Sequence, residues 1–135
     1  MATGLYAKGR EAFLKGSISW NSHNIKVALI DAGDYTVNLA THDFLDDVAG
    51  AAIVATSSNL ASKTTTDGVA DAADVTFTAV TGDPCEALII YRDSGSAATS
   101  ELIAYIDNYA GLPITPNGQD INLFWPNDSN KIFKL

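Results

Sequence analysis

The sequence predicts an all-β fold: a single antiparallel β-sandwich spanning residues 1–135, with one N-terminal α-helix. Three observations carry that prediction. Apolar residues alternate with period two in most segments after residue 24, as half-buried strands require. Turn signals such as Gly82-Asp83-Pro84, Pro116-Asn117-Gly118 and Pro126-Asn127-Asp128 recur at short intervals, which suits a sandwich or barrel. Thirteen of the sixteen acidic residues are Asp, whose short side chain favours turns over helix interiors. Jelly-roll topology and other sandwich topologies fit this pattern equally well.

The helix is expected over residues 3–16. Leu5, Gly9, Ala12 and Phe13 fall on one helical face with Tyr6 beside them, while Lys8, Arg10, Glu11 and Lys15 fall mainly elsewhere. Thr3 is placed as the N-cap and Gly16 as the glycine that stops the helix. Gly9 weakens the helix by about 1 kcal/mol relative to alanine.

Strands fill residues 24–135. The segment Ile25 to Ile30 is apolar on both faces. Across the turn at Asp31 to Asp34 it is expected to form a hairpin with Tyr35, Val37 and Leu39. Thr41 is read as capping a helical turn through Phe44, Leu45 and Val48, and Ala51 to Ala55 as another strand. From Ala55 to Ala73 two readings stand. One is a pair of edge strands around Thr66-Asp67-Gly68, and the other is an arm reaching a neighbouring subunit. Val75, Phe77 and Ala79 form a strand, as do Cys85 to Arg92 and Leu102 to Ile106. Ile121, Leu123 and Trp125 alternate with Asn122 and Phe124. The turn at Pro126 to Asn130 then leads, hairpin-like, into Lys131 to Leu135.

Hydrophobic residues make up 47% of the chain and charged ones 18%, enough apolar surface to offset the entropy of ordering. The apolar runs are far shorter than the roughly 18 residues of a membrane span, and no secretory leader pattern opens the chain. Charge is unevenly spread. Residues 1–26 carry a net +3, residues 27–130 a net −13, and residues 131–135 a net +2. An acidic body between basic ends is a poor partner for nucleic acid, whose phosphates need clustered Lys and Arg.

No catalytic pattern emerges. Ser94-Gly95-Ser96-Ala97-Ala98 is not a nucleophile elbow, and no phosphate-binding glycine loop is present. His23 and His42 lack metal-ligand spacing, and no cofactor is expected. Asp43, Asp46 and Asp47, like Asp67, Asp71 and Asp74, depart from the calcium-loop pattern and read as solvated turn residues. Asn127-Asp128-Ser129 matches a glycosylation sequon, which carries no weight without a leader. Glu86 beside Cys85 raises the thiol pKa, so this lone cysteine reads as a small buried apolar residue. Trp125 is expected in the core, whereas Trp20 could cover the sheet or anchor an interface.

Both ends of the chain carry a further pattern. The opening Gly4-Leu5-Tyr6-Ala7-Lys8-Gly9-Arg10-Glu11-Ala12-Phe13-Leu14 leads into Ile25-Lys26-Val27-Ala28-Leu29-Ile30-Asp31. Later come Glu86 to Asp93, Leu102 to Asp107, Gly111-Leu112-Pro113-Ile114-Thr115-Pro116-Asn117-Gly118, Trp125 and Lys131-Ile132-Phe133-Lys134-Leu135. Together these segments resemble a family of small virion structural proteins of tailed bacteriophages. The resemblance implies a non-enzymatic protein made in the host bacterial cytoplasm and carried on the capsid surface. Within it, a cement or decoration protein that bridges major capsid protein subunits is expected, itself a homo-oligomer (dimer or trimer) with no nucleic-acid or membrane partner. Its expected capsid or subunit contacts are Lys8, Arg10, Lys15, Trp20, Lys131 and Lys134. The competing expectations are a tail component (tube, collar or fibre-associated subunit) and a carbohydrate-binding module using Tyr35, Tyr105 and Tyr109.

Overall fold

The structure, a computed structural model, describes residues 4–135, so Thr3 lies outside the described residues. Strand β1 (Gly4–Leu5) precedes helix α1 (Ala7–Leu14) and strand β2 (Ile25–Ile30). Then follow β3 (Ile53–Thr56), β4 (Val69–Ala70), β5 (Val75–Phe77) and β6 (Ala87–Arg92). The last strands are β7 (Leu102–Ile106), β8 (Ile121–Leu123) and β9 (Phe133–Lys134). Pairing is antiparallel throughout, which makes the fold all-β with one helix. A five-stranded sheet runs in the order β1-β7-β6-β2-β3, and β4–β9 and β5–β8 form separate two-stranded ladders.

β2 and β6 are apolar along almost their whole length because both faces of the central sheet are covered. Ile25, Val27, Leu29, Leu88 and Ile90 point to one face, where they meet Phe77, Leu123, Trp20, Trp125 and Phe133 from the ladders and loops. Ala28, Ile30, Ala87, Ile89 and Tyr91 point to the other, under Tyr6, Tyr35, Val48 and Ala52. Such alternation follows from the strand geometry. Two irregularities bend the sheet, with Val54 the extra residue in β3 and Ile103 the extra residue in β7.

Several expectations are corrected. The chain pairs Gly4 and Leu5 with Tyr105 and Ala104 of β7, so the helix spans Ala7–Leu14 with Tyr6 at its N-cap rather than residues 3–16. Tyr35 to Leu39 forms no strand, because β2 is already flanked by β3 and β6. The alternation there instead seats Tyr35, Val37 and Leu39 beneath the sheet. The expected helical turn shrinks to a 3₁₀ turn at Leu45–Asp47, capped by Phe44 rather than Thr41. Ala51 and Ala52 lie in another 3₁₀ turn, and the strand begins at Ile53. Ala79 leaves its strand with φ +50, a left-handed conformation held by its N–H donating to the Asp120 carboxylate at 2.9 Å. β8 and β9 do not pair with each other. Pro126 to Asn130 instead links two ladders whose partners are β5 and β4.

Between Ala55 and Ala73, Thr64 and Asp71 bridge across Asp67 and Gly68, which adopt φ +58 and +76. That is the hairpin expected of Asp-Gly. Leu60, Ala70 and Ala72 are buried within this chain, so the segment is not a free arm. Among the described residues no helix is long and apolar enough to cross a membrane.

Candidate interaction face

α1 lies unusually close to the sheet. Gly9 and Ala12 are its buried residues, and a Cβ on Gly9 would stand 2.4 Å from the Leu102 carbonyl oxygen. At the other end Gly16, at φ +81, stops the helix as the sequence predicts. Its N–H donates to Phe13 O at 3.2 Å, and the Ser17 N–H donates to Ala12 O at 2.9 Å. This pair of bonds satisfies the carbonyls a helix end leaves open.

The helix so placed brings Phe13 against Phe133 of β9, with ring centroids 6.1 Å apart. Trp20 meets Phe133 edge-on at 5.2 Å and 87°, an arrangement worth about 1 kcal/mol beyond the area buried. Its indole N–H donates to Asp71 O at 3.2 Å, so the tryptophan's polar atom is satisfied inside the fold. Around these rings runs an apolar groove of about 160 Å³, lined by Phe13, Trp20, Val69, Ala70, Phe133 and Leu135, with Thr65 and Gly68 at its margin.

The expected contact residues separate into distinct places. Lys8 and Lys15, seven apart and on one side of α1, are exposed and border a cleft of about 300 Å³ shared with Glu11, Asp43 and Glu101. Lys8 lies 3.6 Å from Glu11 in a solvent-exposed pair, which contributes little. Arg10, three residues before Phe13, lies on the groove side of the helix and donates to Leu5 O at 3.3 Å. Lys134 is exposed on β9 beside Phe133. Lys131 is drawn to the Asp71 carboxylate at 3.4 Å. Trp20 is only 4% exposed, a core residue that also forms the groove wall.

Residue-by-residue reading misses the groove, because its walls come from three segments near the start, the middle and the end of the chain. It also passes over Phe124, which is 61% exposed. The available signal is that a large aromatic occupies the outward phase of the Ile121, Leu123, Trp125 alternation. With Leu14 at 91% and Leu135 at 59%, Phe124 completes the large hydrophobics left exposed among the described residues.

Other chemistry-bearing groups are accounted for structurally. The Tyr6 hydroxyl, fully buried, lies 3.0 Å from that of Tyr35, which lies 2.7 Å from His42 Nδ1. Burial first, and then the Tyr35 hydroxyl, push the Tyr6 phenol well above its ordinary range. Asp43, Asp46 and Asp47 gather within 4.8 Å, as do Asp31, Asp34 and Asp83. In the first group the Asp43 N–H donates to Asp47 Oδ2 at 2.8 Å, and this bond holds the Asp47 carboxyl below its usual range. In the second the Gly33 N–H donates to Asp31 Oδ1 at 2.9 Å. Both groups are built as turns. Cys85 is fully buried, and burial with Glu86 nearby pushes its thiol up to about 11. Trp125 is in the core, as expected. Tyr35 and Tyr105 are each 6% exposed, their rings tilted at 53° with centroids 6.2 Å apart, so they offer no open platform for a sugar.

No family model matches the chain, and no curated protein matches it either.

Proposed function

We propose that this chain is a non-enzymatic structural protein of a tailed-bacteriophage virion, acting as a capsid cement or decoration subunit. In this reading the fold is a β-sandwich, with the β4–β9 and β5–β8 ladders laid over one face of the five-stranded sheet. The observation that carries the reading is the placement of Lys8 and Lys15 on one outer side of α1. Both lysines are exposed on a molecule of net charge −8, beside the Glu11, Asp43 and Glu101 carboxylates of the same cleft. Opposite charge there steers and orients docking onto an acidic capsid surface more than it adds raw affinity. The body behind it suits a load-bearing role: both sheet faces are packed, and the one thiol is buried and protonated. The segment resemblance given above supplies the phage context.

Whole-particle cryo-electron microscopy tests the reading directly. Copies spread over the icosahedral lattice are expected, with occupancy lost in the Lys8→Glu/Lys15→Glu variant. Copies confined to the tail or to one vertex would favour a tail component instead. Absence from particles would overturn the virion assignment.

A further inference from the structure

We propose that the groove between α1 and the β4–β9 ladder receives Phe124 from a second copy of this chain. The groove is apolar, and no charged side chain lines it among the described residues. Its volume of about 160 Å³ matches the ~150 Å³ in which a buried cavity accommodates a benzene ring. Phe124 is the exposed aromatic in search of such a pocket, at 61% accessibility. A solvent-facing phenylalanine one residue past the end of β8 gains nothing from its position within one chain, since its neighbours Leu123 and Trp125 already fill the core.

Charge selects the same pairing. Arg10, three residues before the groove-lining Phe13, and Lys134, between the groove-lining Phe133 and Leu135, have no ion-pair partner among the described residues. Carboxylates bracket Phe124 along the chain, with Asp120 and Asp128 four residues to either side and Asp74 bonded to the adjacent Trp125. Asp74 accepts the Trp125 N–H at 2.9 Å, Asp120 accepts the Ala79 N–H, and Asp128 accepts the Asn130 and Lys131 N–H groups at 2.9 Å. No Lys or Arg occurs between Arg92 and Lys131 in the sequence, and Lys131 is itself paired with Asp71. An Asp-rich, aromatic-bearing segment is thus matched with an apolar groove whose wall-forming segments carry two cations without ion-pair partners. A central aromatic anchor within a charged rim is the usual anatomy of a binding hot spot.

Groove and anchor are different surfaces, so the contact is heterologous: each copy gives one Phe124 and receives another, and copies assemble head to tail into a ring or a chain. This contact leaves the Lys8 and Lys15 side of the helix free and does not depend on the proposed capsid docking.

Light scattering coupled to size exclusion, over a dilution series of the purified full chain, provides the test. The wild type is expected at a multiple of 14.2 kDa. Phe124→Asp removes the anchor, and Val69→Trp fills the groove. Each is expected to weaken association by on the order of 30-fold or more. Mixing the two variants should restore one intact contact and give a species of twice the chain mass that grows no further. Circular dichroism melts verify folding, and Thr65→Trp, at an exposed groove margin, replaces Val69→Trp should that variant misfold. A wild type that stays at 14.2 kDa throughout would overturn the proposal. So would association indifferent to Phe124→Asp, or a mixture that forms no pair.

Discussion

A Cβ on Gly9 would stand 2.4 Å from the Leu102 carbonyl oxygen and 3.1 Å from the Ile103 Cα. The obstacle is backbone of β7, which cannot swing aside as a flexible side chain would. Gly9→Ala should therefore destabilise the fold by about 1–3 kcal/mol through overpacking, despite the gain of about 1 kcal/mol in helix propensity. Urea denaturation checks this, and a midpoint equal to or above the wild type's would refute the tight approach.

The hydroxyl chain Tyr6–Tyr35–His42 predicts an asymmetry. Tyr6→Phe leaves Tyr35 still bonded to His42 Nδ1 at 2.7 Å, so it should cost about 1 kcal/mol. Tyr35→Phe strands the Tyr6 hydroxyl at a fully buried position, where desolvation without a partner raises the cost to about 2–3 kcal/mol. Thermal melts of the two variants side by side decide it, since equal losses would mean that the chain is not held together through Tyr35.

Acid sensitivity has a specific source at the end of β6. Lys26 Nζ lies 2.8 Å from Asp93 Oδ2, and the Gly95 N–H donates to Oδ1 at 3.0 Å. The lysine contact first, and then the backbone bond, hold the Asp93 carboxyl below its ordinary 3.8. As pH falls through 3.8 the unfolded chain takes up this proton before the folded one does, so the stabilisation is full above that value and drains away below it. Asp93→Asn keeps the acceptor for Gly95 and removes the charge. It should cost about 1 kcal/mol at neutral pH and converge with the wild type once both forms are protonated. Unfolding free energies measured across the acid range would reveal a variant that keeps a constant deficit, which this account does not allow.

Cys85, fully buried with its thiol pushed up to about 11, should ignore a disulfide reagent in the native state at mildly alkaline pH. Labelling should appear only with denaturant, at the rate of unfolding. Prompt native labelling would show that the antiparallel backbone bridge between Cys85 and Ile114, whose N–H groups donate to each other's carbonyls at 2.8 and 2.9 Å, opens.

The sequence displays best whatever is settled by a few adjacent residues. The runs at β2, β6 and β7 are legible because strands covered on both faces must be apolar almost throughout. Gly16 is legible because few other residues adopt its left-handed conformation. Pairing is another matter. Tyr35 to Leu39 alternates as well as any strand, yet the edges of β2 are occupied by segments beginning at Ile53 and Ala87, and nothing local announces that. The lysines are visible from the outset. The groove is not, because Phe13, Val69 and Phe133 form a wall only after three distant segments meet. Gly9 reads as a flaw in a helix until the carbonyl it accommodates is known.

The contact between Phe13 and Phe133 also governs the order in which the molecule can be completed. Those residues are separated by most of the chain, and Gly4 and Leu5 find their partners only at Tyr105 and Ala104. Such high contact order slows folding. On a ribosome α1 emerges early but has no sheet to lie on until β7 has appeared, and Trp20 remains uncovered until Phe133 follows. A nascent chain therefore carries exposed aromatic surface through nearly its whole synthesis. Its yield in the cell should depend on chaperone supply more steeply than its small size suggests.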